Sequence, residues 1–221
     1  RAVGPRPPGL DDDALERWMA EAEIVGLEDL DTGITSPQRV TLRKDGVELR
    51  AVFKQVSASF DGTGRVGTAF VADRFQYELA AYRLDRLLGL DMVPVAVERT
   101  VGKRHGILQF WIDGSMNLRS MLEQKLSPSG WCPANPQFNL MNIFDLLIHN
   151  TDRTQENALF TRDWMLVLID HTRAFDTDTK DPALLYKNPV ELPPALAERL
   201  AALDRPSLDG RSAARPHQSA I

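Results

Sequence analysis

A carboxylate at Asp152 is followed five positions on by an amide at Asn157. A second carboxylate, Asp170, closes the apolar run 165–169 thirteen positions further along. Phosphoryl transfer needs this set: one carboxylate to orient or deprotonate the attacking hydroxyl, and an amide and another carboxylate to hold the metal that neutralises the phosphates. Asp and Asn are also ordinary turn residues, and either alone would read as turn chemistry. The three together, each at the edge of an apolar element, point to a site.

Those elements can be read from periodicity. Residues 138–148 are apolar almost all round (Phe138, Leu140, Met141, Ile143, Phe144, Leu146, Leu147, Ile148), which predicts a buried helix delivering Asp152 into a polar loop. Ala158, Leu159 and Phe160, a turn at Thr161, Arg162 and Asp163, and the run 165–169 predict a short hairpin of buried strands. Asn157 then stands at the mouth of the first strand and Asp170 at the exit of the second, so both face one bound cation.

Such a site also needs an upstream lysine on a strand and a helical acid to hold it. Asp45 and Gly46 form a two-residue hairpin signal between 39–43 and 47–56. On the second strand Val47, Leu49, Ala51 and Phe53 share one face, and Val52, Lys54 and Val56 the other, so Lys54 leaves an apolar row for the cleft. By itself it would read as a solvated edge lysine. Glu78 lies on a helix expected over about 73–90, ended by Gly89 and Pro94, with Phe75, Leu79 and Tyr82 on one buried face and Leu84, Leu87 and Leu88 on another. A carboxylate on so enclosed a helix is costly without a cation. Lys54 is the natural partner; the alternative is a solvated stripe shared with Arg74 and Asp85.

Val52-Phe53-Lys54, Tyr77-Glu78-Leu79-Ala80-Ala81-Tyr82-Arg83-Leu84-Asp85, Val93-Pro94, and Asn150-Thr151-Asp152-Arg153 with Ile169-Asp170 resemble the atypical kinases that include the Golgi casein kinase family of secreted-protein kinases and the type II phosphatidylinositol 4-kinases. The likeness spans residues 24–176; HipA-type kinases share its logic more distantly. It implies an α+β, two-lobed protein-kinase-like fold, with a β-rich N-terminal lobe, a reduced helical C-terminal lobe and the active site in the cleft. It also implies ATP and Mg²⁺ or Mn²⁺ as cofactors, with Lys54 on the phosphates and Glu78 pairing with it or approaching the metal. Asp152 becomes the catalytic base, Asn157 and Asp170 metal ligands, Val52 the adenine contact, and Gln109, Phe110, Trp111 and Ile112 the connection between lobes. His171-Thr172-Arg173-Ala174-Phe175 replaces the Phe-Gly that follows the metal aspartate in ordinary protein kinases, which favours the atypical branch.

Two departures stand beside the likeness. The stretch expected over the phosphates, 30–37, has Gly33 alone instead of three glycines, although amides around Gly33, Thr35 and Ser36 suit an anion nest as well as a plain turn. After Asp170, 51 residues remain, and 209–221 lack hydrophobic periodicity, so that tail is expected to be disordered. The expected division is a Pro-rich tail and helix start over 1–20, an N-terminal lobe over 21–108, a connection over 109–113 and a C-terminal lobe over 114–208.

Composition sets bounds. A chain of 221 residues, 43% hydrophobic and 26% charged, buries a core. A formal charge of -5 and a pI near 5.4 offer no basic footprint for nucleic acid and weigh against work on an anionic membrane. The lone Cys132 excludes an intrachain disulfide framework, and the four histidines lack zinc-ligand spacing. No transmembrane run or signal peptide is visible, so a cytoplasmic location is expected. The stripe Leu15, Trp18, Met19, Ala22 after three aspartates predicts an amphipathic helix packed on the N-terminal lobe. The leading expectation is transfer of the γ-phosphoryl of ATP to a hydroxyl of a protein or small molecule. The alternatives are a pseudokinase or nucleotide-binding module, a phosphatidylinositol-type lipid kinase, and nucleotidyl transfer.

Overall fold

The computed structural model describes residues 6–30, 37–55, 57–60, 71–175 and 190–204, with the backbone alone at 57–60 and 71–73. Helix α1 (Asp12–Glu21) starts where the Asp11 carboxylate accepts from Ala14 N–H at 2.8 Å, with Asp12 and Asp13 in its first turn. Leu15, Trp18, Met19 and Ala22 are buried as their spacing predicts, and each such Leu or Met contributes about 1.5–3 kcal/mol of burial. Ahead of α1, Arg6 lies over the Phe110 ring at 5.6 Å and pairs with Asp12 at 2.7 Å.

Strands β1 (Glu23–Asp29), β2 (Gln38–Lys44) and β3 (Val47–Lys54) follow, then a two-stranded unit of β4 (Ser57–Phe60) and β5 (Val71–Arg74), helix α2 (Phe75–Leu88), and strands β6 (Ala96–Val101) and β7 (Arg104–Phe110). Five of these strands form an antiparallel sheet ordered β1-β2-β3-β7-β6. Asp45 and Gly46, both at positive φ, turn β2 into β3 and set Lys44 opposite Val47, as a type I′ turn requires. β3 and α2 are shorter than expected. α2 stops at Gly89, in the left-handed conformation at φ 60°. Both Glu78 and Asp85 are buried, so the solvated stripe does not exist, whereas Leu87, expected on a buried face, is 37% exposed.

The second lobe contains β8 (Met116–Asn117), α3 (Leu118–Glu123), α4 (Ala134–Leu147), the hairpin β9 (Ala158–Phe160) and β10 (Leu166–Leu168), and α5 (Pro194–Ala201). β9 pairs with both β10 and β8. Helix α4 begins four residues earlier than predicted and is less enclosed: Leu147 is exposed, while Asp145 and Gln137 are buried. A polar residue buried on an apolar helix needs partners, and Gln137 has them, accepting from Leu166 N–H at 2.6 Å and donating to Trp164 O at 3.0 Å. That amide stitches α4 to the hairpin. Arg199 on α5 donates to Leu88 O at 2.6 Å and Gly89 O at 3.0 Å, satisfying carbonyls at the end of α2. One continuous apolar cluster runs from Leu15 and Phe53 through Val93 and Ile107 to Phe144 and Leu168, and Leu168 N–H donates to Met92 O across the lobes at 2.8 Å.

Candidate active site

Lys54 ends β3 facing the cleft. Its Nζ lies 3.3 Å from Glu78 Oε2 and 3.2 Å from Asp170 Oδ1. Burial alone would lower the ammonium pKa, but the charges of Glu78 and Asp170 outweigh it and hold the group above its ordinary value. The strand register that aims Lys54 depends on close approach by β7. Gly106 sits where any Cβ would collide with Lys54 O and the Phe53 ring.

Glu78 has no solvent exposure. Its carboxylate accepts from Gln109 Nε2 at 2.8 Å, Asp170 N–H at 3.1 Å and His171 N–H at 2.7 Å, besides Lys54. Burial pushes this carboxyl upward, yet Lys54 and the His171 bonds more than reverse that, and it stays ionised well below the usual carboxylate range. A carboxylate offers about four lone-pair sites, and these donors, with the His171 ring Nδ1 at 3.3 Å from Oε1, crowd both oxygens. Glu78 is thus paired with Lys54, the cation its burial calls for.

Asp152 and its loop are held from behind. Asp145, fully buried on α4, receives Arg153 Nε at 2.8 Å and Nη2 at 2.9 Å in a two-pronged ion pair. It also accepts from Asn150 Nδ2 at 2.8 Å. Asn150 in turn accepts from Asp152 N–H at 3.2 Å, and Arg153 Nη1 donates to Asn157 O at 2.7 Å and Ile169 O at 2.8 Å. The Asp152 carboxylate, half-exposed, meets Arg173 Nη1 at 3.1 Å. Sequence reasoning missed Asp145, Asn150, Arg153 and Arg173. Asp145, the one charged residue within 138–148, is like Glu78 an acid on an enclosed helix and needs a cationic partner for the same reason.

Asn157 and Asp170 are brought together by the hairpin, Ile169 N–H donating to Asn157 O at 3.1 Å. Asp170 has φ 62°, a left-handed conformation uncommon outside glycine, and its carboxylate is 41% exposed. Among the described residues no three His, Cys, Asp or Glu side chains form a metal cage. One carboxylate and one amide are a hard, open donor set. They fit Mg²⁺ or Mn²⁺ shared with a nucleotide's phosphates, as Mg²⁺ sites commonly are.

The remaining expectations divide. Val52 pairs with Gln109 across β3 and β7, but Gln109 and Phe110 are the last residues of β7 and not part of the connection, which begins at Trp111. The reason is that Gln109 is needed inside, on Glu78. Trp111 N–H is spent on Arg50 O at 3.0 Å, and the Trp111 ring has Arg39 and Arg50 over it at 5.8 and 5.9 Å. Ile112 is buried. Gly33, Thr35 and Ser36 lie outside the described residues, as does Val56.

A β-rich lobe bearing an ion-paired lysine, joined to a helical lobe bearing a carboxylate loop, is an atypical kinase-like α+β fold. The solved structures it resembles include a hydra Fam20 with sugar, at a TM-score of 0.58 and 16% identity over 96% of this chain and 78% of that one. Others are the Golgi casein kinase (TM-score 0.54, 16% identity, 95% of this chain) and the Golgi casein kinase with Mn/ADP bound (0.52, 17%, 90%). The chain spans 65% and 64% of the latter two. The fold is thus Golgi casein kinase-like. No family model and no curated protein matches the sequence.

Proposed function

We propose that this chain is a metal-dependent phosphotransferase that moves the γ-phosphoryl group of ATP to a hydroxyl of a protein or small molecule. The observation that carries the reading is the meeting of Lys54, Glu78 and Asp170, from a strand, a helix and a hairpin exit, in one partly buried triad. A lysine held between two carboxylates is charged and positioned for phosphate oxygens. The Asp152 carboxylate, half-exposed and paired with Arg173, orients the acceptor hydroxyl and takes its proton as the new O–P bond forms and the bond to ADP breaks. Asp170 and Asn157 hold the metal, whose charge offsets the repulsion between triphosphate and carboxylates. The neighbour with Mn/ADP bound supports the choice of nucleotide and metal.

The test is mass spectrometry of the purified protein with ATP and Mg²⁺ or Mn²⁺, alone and with candidate hydroxyl acceptors. Gain of one phosphate supports the reading. Gain of a nucleotide replaces it with nucleotidyl transfer, and binding without any transfer makes the chain a pseudokinase. A cytoplasmic location belongs to the same proposal and is checked by fractionation of expressing cells. No helix among the described residues is long and apolar enough to cross a membrane.

A further inference from the structure

His171 is fully buried and stands edge-on to Phe144 at 5.9 Å, but packing does not account for its two nitrogens. Nδ1 is 3.3 Å from Glu78 Oε1, and Nε2 is 2.9 Å from Arg153 Nη2. Arginine has donors and no acceptor, so Nε2 must present its lone pair. The ring proton then sits on Nδ1, where the Glu78 carboxylate accepts it. Arg153 reaches no substrate: its five N–H bonds are taken by Asp145, Asn157 O, Ile169 O and His171. A chain of hydrogen bonds therefore runs from Asp145 on α4 through Arg153 and His171 to Glu78 on α2 and ends at Lys54.

We infer that His171 is a positioning residue that keeps the two halves of the site in register. Through Nδ1 it sets Glu78 and hence Lys54, the phosphate-holding half. Through Nε2 it sets Arg153 and hence the loop carrying Asp152 and Asn157, the half that meets the acceptor. The inference rests on the phosphotransfer reading and adds to it a coupling between nucleotide grip and base placement.

The two bonds can be cut separately. The carboxamide of H171N reaches the place of Nδ1 and can donate to Glu78, whereas that of H171Q reaches the place of Nε2 and can accept from Arg153. With full-length protein and ATP, H171N is expected to lower kcat about tenfold and leave KM for ATP within about twofold, and H171Q to raise KM about tenfold with a smaller change in kcat; tenfold corresponds to roughly one hydrogen bond to a charged group. H171F, which keeps the packing on Phe144, should do both. Nitrogen-15 NMR of the imidazole in the unmutated protein, which needs no activity, should show a protonated Nδ1 and a bare Nε2. A proton on Nε2, or equal kcat and KM changes in H171N and H171Q, would overturn the positioning role. Absence of transfer from the unmutated protein would instead defeat the phosphotransfer reading, and with it the kinetic half of this inference, whatever the tautomer.

Discussion

Lys54 is bonded to two carboxylates, but the acid it serves does not depend on it alone. Lys54→Ala leaves Glu78 with the donors of Gln109, Asp170 and His171, so the fold should survive with a loss of about 1–3 kcal/mol. ATP-dependent transfer is expected to fall by on the order of 10²-fold or more, as a positioned charge on the phosphates is removed. Urea unfolding beside a transfer assay checks this, and a variant that unfolds outright would show the lysine to be structural. Asp152 and Asp170 separate by role. Asp152→Asn should retain nucleotide and metal binding while losing transfer by roughly 10²-fold or more, the scale of general-base catalysis. Asp170→Asn should lose both. Calorimetry with Mg²⁺-ATP distinguishes them, and unmutated turnover by Asp152→Asn would remove the loop from the chemistry.

Helix α2 is the element on which these residues depend, and a second buried acid governs its end. Burial pushes the Asp85 carboxyl up to about 8, Met92 and Val93 N–H groups pull it back in part, and Asp91 and Asp12 add to the rise. Its folded pKa thus lies above the ordinary 3.8. The stability linked to the neutral acid is full below about pH 4 and is lost as pH rises toward 8, by up to about 1 kcal/mol per pH unit. The thermal midpoint should decline across that window. Asp85→Asn, which keeps an acceptor for Met92 N–H, should flatten the decline, and an identical slope in both proteins would mean that other groups cause it. On the facing strand, Gly106→Ala must push against Lys54 O and Phe53. An overpacking loss of about 1–3 kcal/mol is expected, together with a raised KM for ATP measured against unchanged controls at exposed sites.

Both lobes share one apolar cluster, so the molecule should unfold as one unit. Trp18 in the first lobe and Trp164 in the second both pack into that cluster, and their fluorescence should change in one transition with circular dichroism. Mg²⁺-ATP at about 100 times its Kd should stabilise the whole by about 2.7 kcal/mol. Chelator should abolish the gain, because Asp170 and Asp152 repel a bare triphosphate. An equal thermal shift with and without chelator would point to metal-independent binding.

Local pattern determined much of this molecule before any contact was known. Period-two alternation put Lys54 on the face opposite Phe53, the Asp45-Gly46 turn set the β2–β3 register, and the stripe from Leu15 to Ala22 made α1, because each depends on neighbours within one or two turns of chain. The partner of Glu78 was inferable from the cost of burying a charge. Tertiary structure decided the rest. Gln109 turned inward onto Glu78, Glu78 also accepts from backbone N–H groups 92 and 93 residues away, and Asp145, Arg153 and His171 joined into one relay. Those bonds link α4, the 150–157 loop, the hairpin exit and α2, elements whose approach no periodicity encodes. Which buried polar group satisfies which is settled by packing the apolar cluster, and the network that aligns the site follows from that packing.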